Sequence, residues 1–252
     1  MNKPIVLTGY PKSGNTWATQ LLADLLECPV AGFWQYPDHN EISSKGQGRV
    51  SDNVCYKSHA CIKDLAKSDD PISSLYIVRD PRDIIVSAAN FYSFIEYPQI
   101  YQRLSRIRTG LRWYHLFFFN EQKRIRSMTK ALLNGHPRKA WLEVPWKQHV
   151  EDALHNQVPI IRYEDLKLKP LDTAQYMLDA VNHKRNYNMI EKAVEENSFQ
   201  AKKKKYKVYT DKRKMKFLRS GKIGEGKKKI PSECLSQIER ELGDVMRELA
   251  YL

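Results

Sequence analysis

Residues 4–17 constrain the fold of this chain more than any other stretch, because an apolar run, a glycine-bearing turn and a helical pattern follow in direct succession. The apolar run Ile-Val-Leu at residues 5–7 is typical of a strand buried on both faces of a parallel sheet. The turn lies between Gly9 and Gly14, and apolar residues recur at helical spacing from Trp17 onwards. A strand, a glycine-bearing loop and a helix in this order aim backbone N–H groups and a helix dipole at an anion. The sequence therefore predicts a phosphate or sulfate site here.

The spacing of Gly9 and Gly14 is that of a Walker A loop, but the lysine of that motif is displaced. Asn15 stands where the motif has its lysine, and Lys12 lies inside the loop instead. Thr16 keeps the position of the hydroxyl that binds magnesium in nucleotide hydrolases. A P-loop kinase needs the lysine after the second glycine and an acidic magnesium ligand, so it is an alternative that the loop matches only in part.

The formal net charge of +13 implies anionic partners, such as nucleotides, acidic substrates, nucleic acid or a lipid surface. The charge is uneven, because residues 200–216 hold eight lysines and one arginine against one aspartate, a net +8. We expect this segment to form a mobile basic loop. A nucleic-acid binder that uses the segment is a second alternative, but the remainder of the chain is only mildly basic.

At 252 residues the chain fits a single domain over residues 1–252, without a repeat or linker and with a last helix over about 232–251. The four cysteines show no C-x-x-C pair and no histidine-rich companion, so neither a zinc site nor a disulfide framework is indicated. No apolar run is long enough to span a bilayer, and no signal peptide precedes the first strand. We therefore expect a cytoplasmic enzyme with reduced thiols.

Three further strands are predicted, at residues 54–57, 74–78 and 158–163. Because strands alternate with helical patterns, the expected fold class is α/β, with a central mostly parallel sheet flanked by helices. The first of these strands leads into His59, the second leads into Arg79, and the third ends at Tyr163. Ligands bind at the carboxyl ends of strands in open parallel sheets, so these residues are candidates for the same site as the loop.

A helix is predicted directly after Arg79, with Asp80 as its N-cap, Pro81 at its first position and Asp83 as a capping-box acid. Capping does not explain Arg79, because a positive charge at a helix N-terminus is unfavourable unless an anion is also present. Arg79 is therefore a candidate ligand for a second anionic group.

Two irregular stretches each allow two interpretations. Residues 217–227 combine Arg219 with three glycines, which suits contacts with a phosphate but also suits a plain surface turn. Phe33, Trp34 and Tyr36 lie in a stretch from about residue 29 to 53, where they either line an acceptor pocket or cap the core.

Taken in chain order, these blocks resemble the PAPS-dependent sulfotransferases of the soluble, cytosolic type. Residues 10–17 (Y-P-K-S-G-N-T-W) resemble the 5′-phosphosulfate loop of that family, and residues 56–59 (Y-K-S-H) resemble the segment with its catalytic base. Residues 79–87 look like the 3′-phosphate motif, in which an arginine and a serine eight residues later both bind. Residues 163–166 (Y-E-D-L) and 219–227 are similar to two further motifs of the family.

The resemblance implies a P-loop-NTPase-like sulfotransferase fold and in-line transfer of a sulfuryl group from 3′-phosphoadenosine 5′-phosphosulfate (PAPS) to an acceptor hydroxyl or amine. It implies that His59 takes the acceptor proton, Lys12 neutralises the leaving 5′-phosphate, and Lys57 holds the sulfuryl oxygens. No metal is expected. The cofactor-binding residues that it implies are Lys12, Ser13, Gly14, Asn15, Thr16, Trp17, Arg79, Ser87, Tyr163, Ser198, Phe199, Arg219, Ser220 and Gly221.

The chain departs from the family pattern at several positions, among them Ala60 and Cys61, which follow His59 where Leu-Pro is common. Asn15 replaces a threonine that contacts phosphate, and its amide is expected to donate in place of the hydroxyl. Ser220 replaces a lysine and Gly226 replaces a tryptophan, which is expected to weaken closure over the 3′-phosphate.

The acceptor is the part of the function that the motifs leave open. The expected pocket residues are Phe33, Trp34, Tyr36, Phe91, Tyr92 and Phe94. An apolar pocket of this kind suits a phenol, a lipid or a polyketide-like alcohol, whereas the basic loop suits an acidic sugar. The expected partners are therefore a small-molecule, lipid or sugar acceptor, and no nucleic acid.

Overall fold

A five-stranded, all-parallel sheet forms the framework of the fold. The computed structural model describes residues 3–34, 45–68, 71–92, 120–137, 141–208 and 221–252. The strands are β1 (Lys3–Thr8), β2 (Val30–Phe33), β3 (Asn53–Lys57), β4 (Ser73–Val78) and β5 (Ile160–Arg162), in the order β2-β3-β1-β4-β5. The predicted parallel α/β architecture is confirmed.

The helices on and around this sheet are α1 (Asn15–Leu25), α2 (Ile62–Leu65), α3 (Pro81–Phe91), α4 (Glu121–Asn134), α5 (Trp146–His155), α6 (Tyr163–Leu168), α7 (Pro170–Ala180), α8 (Tyr187–Asn197), α9 (Phe199–Val208), α10 (Glu225–Lys229) and α11 (Ser232–Glu248). Of the helices in the described ranges, none is long and apolar enough to cross a membrane. The cytoplasmic location stays a prediction.

The chain divides into two compact units. The first unit comprises Met1–Arg79 and Val150–Lys222, and it holds the whole sheet. The second unit comprises Asp80–His149 and Ile223–Leu252. The single domain expected over residues 1–252 stays a prediction.

The core of the first unit lies where α1, α7 and α8 cover the sheet. Leu7 of β1 and Leu75 of β4 are fully buried in one cluster with Leu22 of α1. Burying a leucine side chain stabilises the fold by about 1.5–3 kcal/mol, so α1 is held firmly on the sheet. Because α1 begins seven residues after β1 ends, this packing places the N-terminus of α1 at the carboxyl end of the sheet.

The edge strand β2 is not among the predicted strands, because Pro29 and Gly32 give its surroundings the composition of a loop. It pairs in parallel with β3, with a register shift between Val30 and Gly32, and an isolated antiparallel bridge joins Val30 to Lys45. The predicted strand at residues 158–163 is shorter than expected, because Tyr163 begins α6. Both differences are at the margins of the sheet.

In the second unit, α3 begins as the sequence predicts. Asp80 caps the helix by accepting a hydrogen bond from the backbone N–H of Arg82, and Pro81 takes the first position. Asp83, the expected capping-box acid, has another role. Its carboxylate accepts hydrogen bonds from the N–H groups of Gly224 and Gly226, at 2.9 and 2.7 Å. These bonds hold the start of α10 against α3.

The glycine that replaces the family tryptophan is required by this contact. A Cβ atom on Gly226 would lie 2.3 Å from the carbonyl carbon of Arg82, so no larger side chain fits. Gly226 therefore allows α10 to pack directly on the backbone of α3. This close packing gives a structural reason for glycine in place of tryptophan. From the sequence alone, the same replacement predicts a weaker closure over the 3′-phosphate.

The first part of the expected basic loop is helical, since α9 covers Phe199–Val208. Lys202 is buried there, and its ammonium group donates to Oε1 of Gln20 on α1 at 2.8 Å. Residues 209–220 lie outside the described part of the chain. The expected last helix is confirmed as α11.

Candidate functional site

The carboxyl ends of β3, β1 and β4 lie side by side in the sheet and bring three chain segments together. The glycine-bearing loop follows β1, Ser58 and His59 follow β3, and Arg79 follows β4. Because β1 has neighbours on both sides whose chain connections lead in opposite directions, its end is the switch point where open parallel sheets bind ligands.

Two glycines let the loop lie close to its neighbours. A Cβ atom on Gly9 would come within 2.3 Å of the carbonyl oxygen of Ile77 in β4. Gly14 has a φ of 102°, and a Cβ atom there would lie 2.7 Å from Cδ2 of Tyr163. Lys12 also has a left-handed backbone, with a φ of 72°, which is costly for a residue with a side chain and is typical of functional loops.

The N-terminus of α1 has features that favour an anion. Gly14 occupies the N-cap position and supplies no side-chain hydrogen bond, and the first turn holds no acidic residue. The backbone N–H groups of a first turn have no partners within the helix, and the helix dipole makes this end positive. Ser13 is fully buried in the loop, whereas Thr16 and Trp17 are half-buried on the first turn.

His59 is held in one tautomer. Its Nδ1 lies 2.8 Å from the carbonyl oxygen of Gly9, and a carbonyl oxygen can only accept a hydrogen bond. Nδ1 therefore carries the proton, and in the neutral ring Nε2 is the basic nitrogen. The neighbouring Ser58 fixes this segment on the sheet, because its N–H donates to the carbonyl oxygen of Leu7 at 2.9 Å.

The side-chain amide of Asn15 forms hydrogen bonds within the protein. Its Nδ2 donates to the carbonyl oxygen of Gly9 at 2.8 Å and to that of Ser58 at 3.3 Å. The residue is only 3% exposed. Both hydrogen bonds of this amide therefore go to backbone carbonyl oxygens, and a contact of Asn15 with the cofactor stays a prediction.

The ammonium group of Lys57 lies in an apolar environment that is largely closed to solvent. It is 7% exposed, and its Nζ lies 4.3 Å from the ring centre of Phe33. Burial, with a smaller contribution from the positive charge of Lys12, lowers the pKa of Lys57 from 10.5 to about 7. Within the described ranges the ammonium group of Lys57 has no hydrogen-bond or ion-pair partner. An anion beside the ammonium group would offset the effects of burial and of the Lys12 charge, and would raise the pKa of Lys57.

Arg79 links the loop to the segment that ends the first unit. Its guanidinium donates to the carbonyl oxygen of Lys12 at 3.2 Å and to that of Lys222 at 3.1 Å. It also lies 4.2 Å from the ring centre of Tyr163. The hydroxyl of Tyr163 donates to the carbonyl oxygen of Gly221 at 3.2 Å. Tyr163 thus contacts the Arg79 cation and the Gly221 backbone.

Three further residues expected to bind the cofactor, Trp17, Ser198 and Phe199, lie in or next to the segments that contact Tyr163 and Gly221. The ring of Trp17 meets Tyr163 edge-on, with centroids 5.6 Å apart, while the Phe199 ring would lie 3.1 Å from a Cβ atom on Gly221. The hydroxyl of Ser198 accepts a hydrogen bond from the N–H of Ala201, at the start of α9.

Asn197 contacts Trp17, a predicted site residue, and the sequence does not predict this contact. Its carbonyl oxygen accepts a hydrogen bond from Nε1 of Trp17 at 2.8 Å, and its side chain donates to Asp24 at 2.6 Å. The residue directly precedes Ser198 and is 1% exposed. In the sequence Asn197 is an ordinary asparagine at the end of a predicted helix, so only the folded structure reveals its contacts with Trp17 and Asp24.

The expected acceptor-pocket residues fall into three groups. Phe33, at the end of β2, contacts both Lys57 and His59, with a ring distance of 5.7 Å to the imidazole. The neighbouring Trp34 packs edge-on against Tyr56. In the second unit, Phe91 packs edge-on against Tyr92, and burial raises the pKa of Tyr92.

The roles of all the predicted site residues stay predictions, and several of these residues take no part in the contacts above. Ser87 lies in α3 of the second unit, where it is half-buried. The residues that lie outside the described ranges are Tyr36, Phe94, Arg219 and Ser220. Among the described residues, no group of three or more histidine, cysteine or acidic side chains could hold a metal ion. The expected independence from metal stays a prediction.

Comparison with known proteins identifies relatives of the whole chain. The sequence model of the sulfotransferase domain family matches residues 2–250 of this chain. The mouse sulfotransferase SULT7A1 complexed with PAP has a similar structure, with 17% identity, a TM-score of 0.68, and coverage of 97% of this chain and 85% of that one. PAP is 3′-phosphoadenosine 5′-phosphate, the product of sulfuryl transfer from PAPS.

Two structures of retinol dehydratase are also similar, at 15% identity. The complex with androsterone and inactive cofactor PAP has a TM-score of 0.62 and covers 96% of this chain and 80% of that one. The complex with retinol and PAP has a TM-score of 0.63, with coverage of 98% and 82%. These likenesses confirm the fold expected from the sequence, while the domain match confirms the resemblance.

Proposed function

This chain belongs to the sulfotransferase family of PAPS-dependent enzymes, and on that basis we propose that it moves the sulfuryl group of PAPS to a hydroxyl or amine of an acceptor and releases PAP. One observation carries the proposal in detail. Lys12, Lys57, His59 and Arg79 are brought to one edge of the sheet, around a loop suited to an anion.

The loop and the start of α1 fit the phosphosulfate end of PAPS. PAPS supplies an activated sulfuryl group whose leaving group is the 5′-phosphate of PAP. The backbone from Ser13 to Trp17 would hold that anion with its N–H groups, since α1 has no side-chain cap of its own. Lys12 would neutralise the charge that grows on the leaving phosphate.

The chemistry asked of the protein is positioning and charge stabilisation, as in phosphoryl transfer. Nε2 of His59 would take the proton of the acceptor hydroxyl, because Nδ1 is committed to the Gly9 carbonyl oxygen. The ammonium group of Lys57 would attract the sulfuryl oxygens from within an environment that holds few competing water molecules.

The nucleoside end of PAPS would lie beyond the loop. Arg79 would bind the 3′-phosphate, and Trp17 and Phe199 would pack against the adenine ring. The contacts among Trp17, Tyr163 and Gly221 support this placement. The further contacts implied by family resemblance are those of Ser87, Ser198, Arg219 and Ser220.

We propose an apolar alcohol, phenol or lipid as the acceptor. Phe33 supports this class, because its ring lies beside both Lys57 and His59, where the reacting hydroxyl must sit. The retinol and androsterone complexes of a structural neighbour point in the same direction. An acidic sugar is the second candidate, favoured by the lysine-rich segment at residues 200–216.

The donor site can be tested without knowing the acceptor. PAP at about 100 times its dissociation constant should raise the free energy of unfolding by roughly 2.7 kcal/mol, and Lys12→Ala should reduce this gain at the same PAP concentration. A screen of phenols, sterols, retinoids, other lipid alcohols and acidic sugars, monitored by PAP release, would then identify the acceptor. His59→Ala should lower turnover by about 10²–10⁴-fold.

Other results would favour the alternatives. Stabilisation by ATP with magnesium but not by PAP would indicate a kinase. Nucleic-acid binding that falls steeply with salt and survives Lys12→Ala would indicate a binder that uses the basic segment. Turnover that survives His59→Ala would remove the assigned base.

A further inference from the structure

We propose that Asn15 is a positioning residue that sets the tautomer of His59, a role that rests on the function proposed above. The amide Nδ2 of Asn15 donates to the carbonyl oxygen of Gly9 at 2.8 Å, and the same oxygen accepts from Nδ1 of His59 at 2.8 Å. One carbonyl oxygen therefore joins the phosphosulfate loop to the base, and Asn15 holds that oxygen in place.

Asn15 restrains both partners of the hydrogen bond between Gly9 and His59. Its Nδ2 also lies 3.3 Å from the carbonyl oxygen of Ser58, the residue that precedes the histidine. Gly9 has no side chain of its own to fix its peptide group, and a Cβ atom there would lie 3.0 Å from this same Nδ2. The amide of Asn15 thus fixes the acceptor and the backbone that carries the donor.

A stabilising role alone does not explain asparagine at this position. Its Oδ1 is buried and has no hydrogen-bond partner among the described residues, which is an unfavourable state for an amide oxygen. A smaller or apolar side chain would avoid that cost. What asparagine adds is an NH₂ group with two protons, which is the number needed for the carbonyl oxygens of Gly9 and Ser58.

The consequence concerns the reacting nitrogen. A neutral imidazole in water favours the tautomer with the proton on Nε2, and in that form Nε2 cannot accept a proton from the acceptor alcohol. The Gly9 carbonyl oxygen selects the other tautomer, in which Nε2 is the base. Without Asn15, the Gly9 peptide and the segment of Ser58 would be freer to move, and the selection would weaken.

The experiment compares Asn15→Ala and Asn15→Thr with the native chain. Long-range ¹H–¹⁵N spectra of the imidazole nitrogens report the tautomer, and His59→Gln identifies the His59 signals. We expect Nδ1–H in the native protein, a shift towards Nε2–H in Asn15→Ala, and a smaller shift in Asn15→Thr, whose single hydroxyl proton can reach only one carbonyl oxygen. Turnover should fall at least tenfold in Asn15→Ala, with PAP affinity within about threefold of the native value.

Thr19→Val is the matched control. It removes a buried hydrogen bond from Thr19 to the carbonyl oxygen of Asn15 on the same helix, without contacting Gly9 or Ser58, so the His59 tautomer should not change. If either Asn15 variant keeps the native tautomer and turnover, the inference is wrong, even where His59→Gln abolishes turnover. If the native protein does not bind PAP and His59→Gln does not reduce its activity, the proposed function is wrong. The His59 tautomer measured in the Asn15 variants still tests the positioning role of Asn15 in that case.

Discussion

The lowered pKa of Lys57 means that binding of an anion beside it would be coupled to the uptake of a proton. A pKa of about 7 means that the side chain is largely neutral at pH 8 in the unliganded protein. Burial is the larger cause, and the charge of Lys12 adds to it. A sulfuryl group that binds beside Lys57 favours the ammonium form, so binding should take up a proton.

We therefore expect the affinity for PAPS to fall as the pH rises above 7. The sign follows from linkage: the complex binds more protons than the unliganded protein, so each pH unit between about 7.5 and 9.5 should raise the dissociation constant by up to tenfold. Calorimetric titration of PAPS, without acceptor, measures this slope and the proton uptake directly.

Lys57→Met and PAP provide the controls for this prediction. Methionine keeps most of the side-chain volume without the titrating group, and PAP lacks the sulfuryl group that Lys57 is proposed to hold. Both the variant with PAPS and the native protein with PAP should show a shallower slope. Equal slopes in all three titrations would assign the proton to another group.

At the scale of single residues, the sequence predicts the loop better than it predicts the connections around it. The anion loop follows from local chemistry, because Gly9, Gly14 and Lys12 stand within one strand-loop-helix pattern. The contact of His59 with the Gly9 carbonyl oxygen spans two strands that are distant in the chain. The inward-facing amide of Asn15 depends on the same long-range pairing, so no local pattern indicates it.

At the scale of elements, one residue, Asn197, joins α8 to α1 through its side chain and its backbone carbonyl oxygen. Asn197, the last residue of α8, donates to Asp24 of α1 at 2.6 Å and receives the indole N–H of Trp17 at 2.8 Å. Burial alone would raise the pKa of Asp24, but hydrogen bonds from Lys45, Asn197 and Arg49 outweigh burial and lower it. A charged carboxylate is thus kept beside the segment that continues into Ser198 and Phe199.

Asn197→Ala should weaken PAP binding, because it releases the turn between α8 and α9 that positions Phe199. The loss of a buried hydrogen bond to a charged partner should cost about 1.5–3 kcal/mol of stability, and a tenfold loss of PAP affinity corresponds to about 1.4 kcal/mol. Urea unfolding and calorimetric titration with PAP measure the two effects separately.

Asn186→Ala is the matched control on the same helix. Asn186 caps the start of α8 by accepting a hydrogen bond from the N–H of Met189 at 3.0 Å, and its removal should cost about 1 kcal/mol. It should leave PAP affinity unchanged, because it acts at the other end of the helix. Equal losses of PAP affinity in both variants would show that general loosening of α8, and not the Asn197 link, is responsible.

The elements that the sequence predicts are those whose cause is local. Helix α3 is predicted because Asp80 and Pro81 specify its start, and β1 because its apolar run fits a strand buried on both faces. Strand β2 depends on pairing with β3, and the sequence does not predict it because Gly32 gives the segment the composition of a loop. Helix α9 forms within a lysine run, and the burial of Lys202 against Gln20 is a tertiary contact that composition cannot show.

At the scale of the whole molecule, the charge is large and unevenly placed. The net charge of +13 attracts any polyanion, and residues 200–216 hold a net +8 of it. Helix α9 carries the first of these lysines, and Lys203 and Lys204 are exposed one turn after Phe199. Positive charge beside a ligand site raises the rate of encounter with an anion more than it slows dissociation.

The double substitution Lys203→Glu with Lys204→Glu should therefore slow the association of PAP several-fold at low salt and leave its dissociation rate nearly unchanged. The difference should shrink as ionic strength approaches 0.5 M, since the screening length falls to about 4 Å. Stopped-flow measurement of PAP binding across a salt series checks both expectations.

The control is Lys184→Glu with Lys192→Glu, because these lysines are also exposed and the change in net charge is identical. If steering depends on where the charge lies, the α9 pair should slow association more than the control pair. Equal slowing by the two pairs would mean that net charge alone sets the rate. A faster dissociation confined to the α9 pair would instead make Lys203 and Lys204 direct ligands of PAP, because a lost contact lowers affinity at high salt as well.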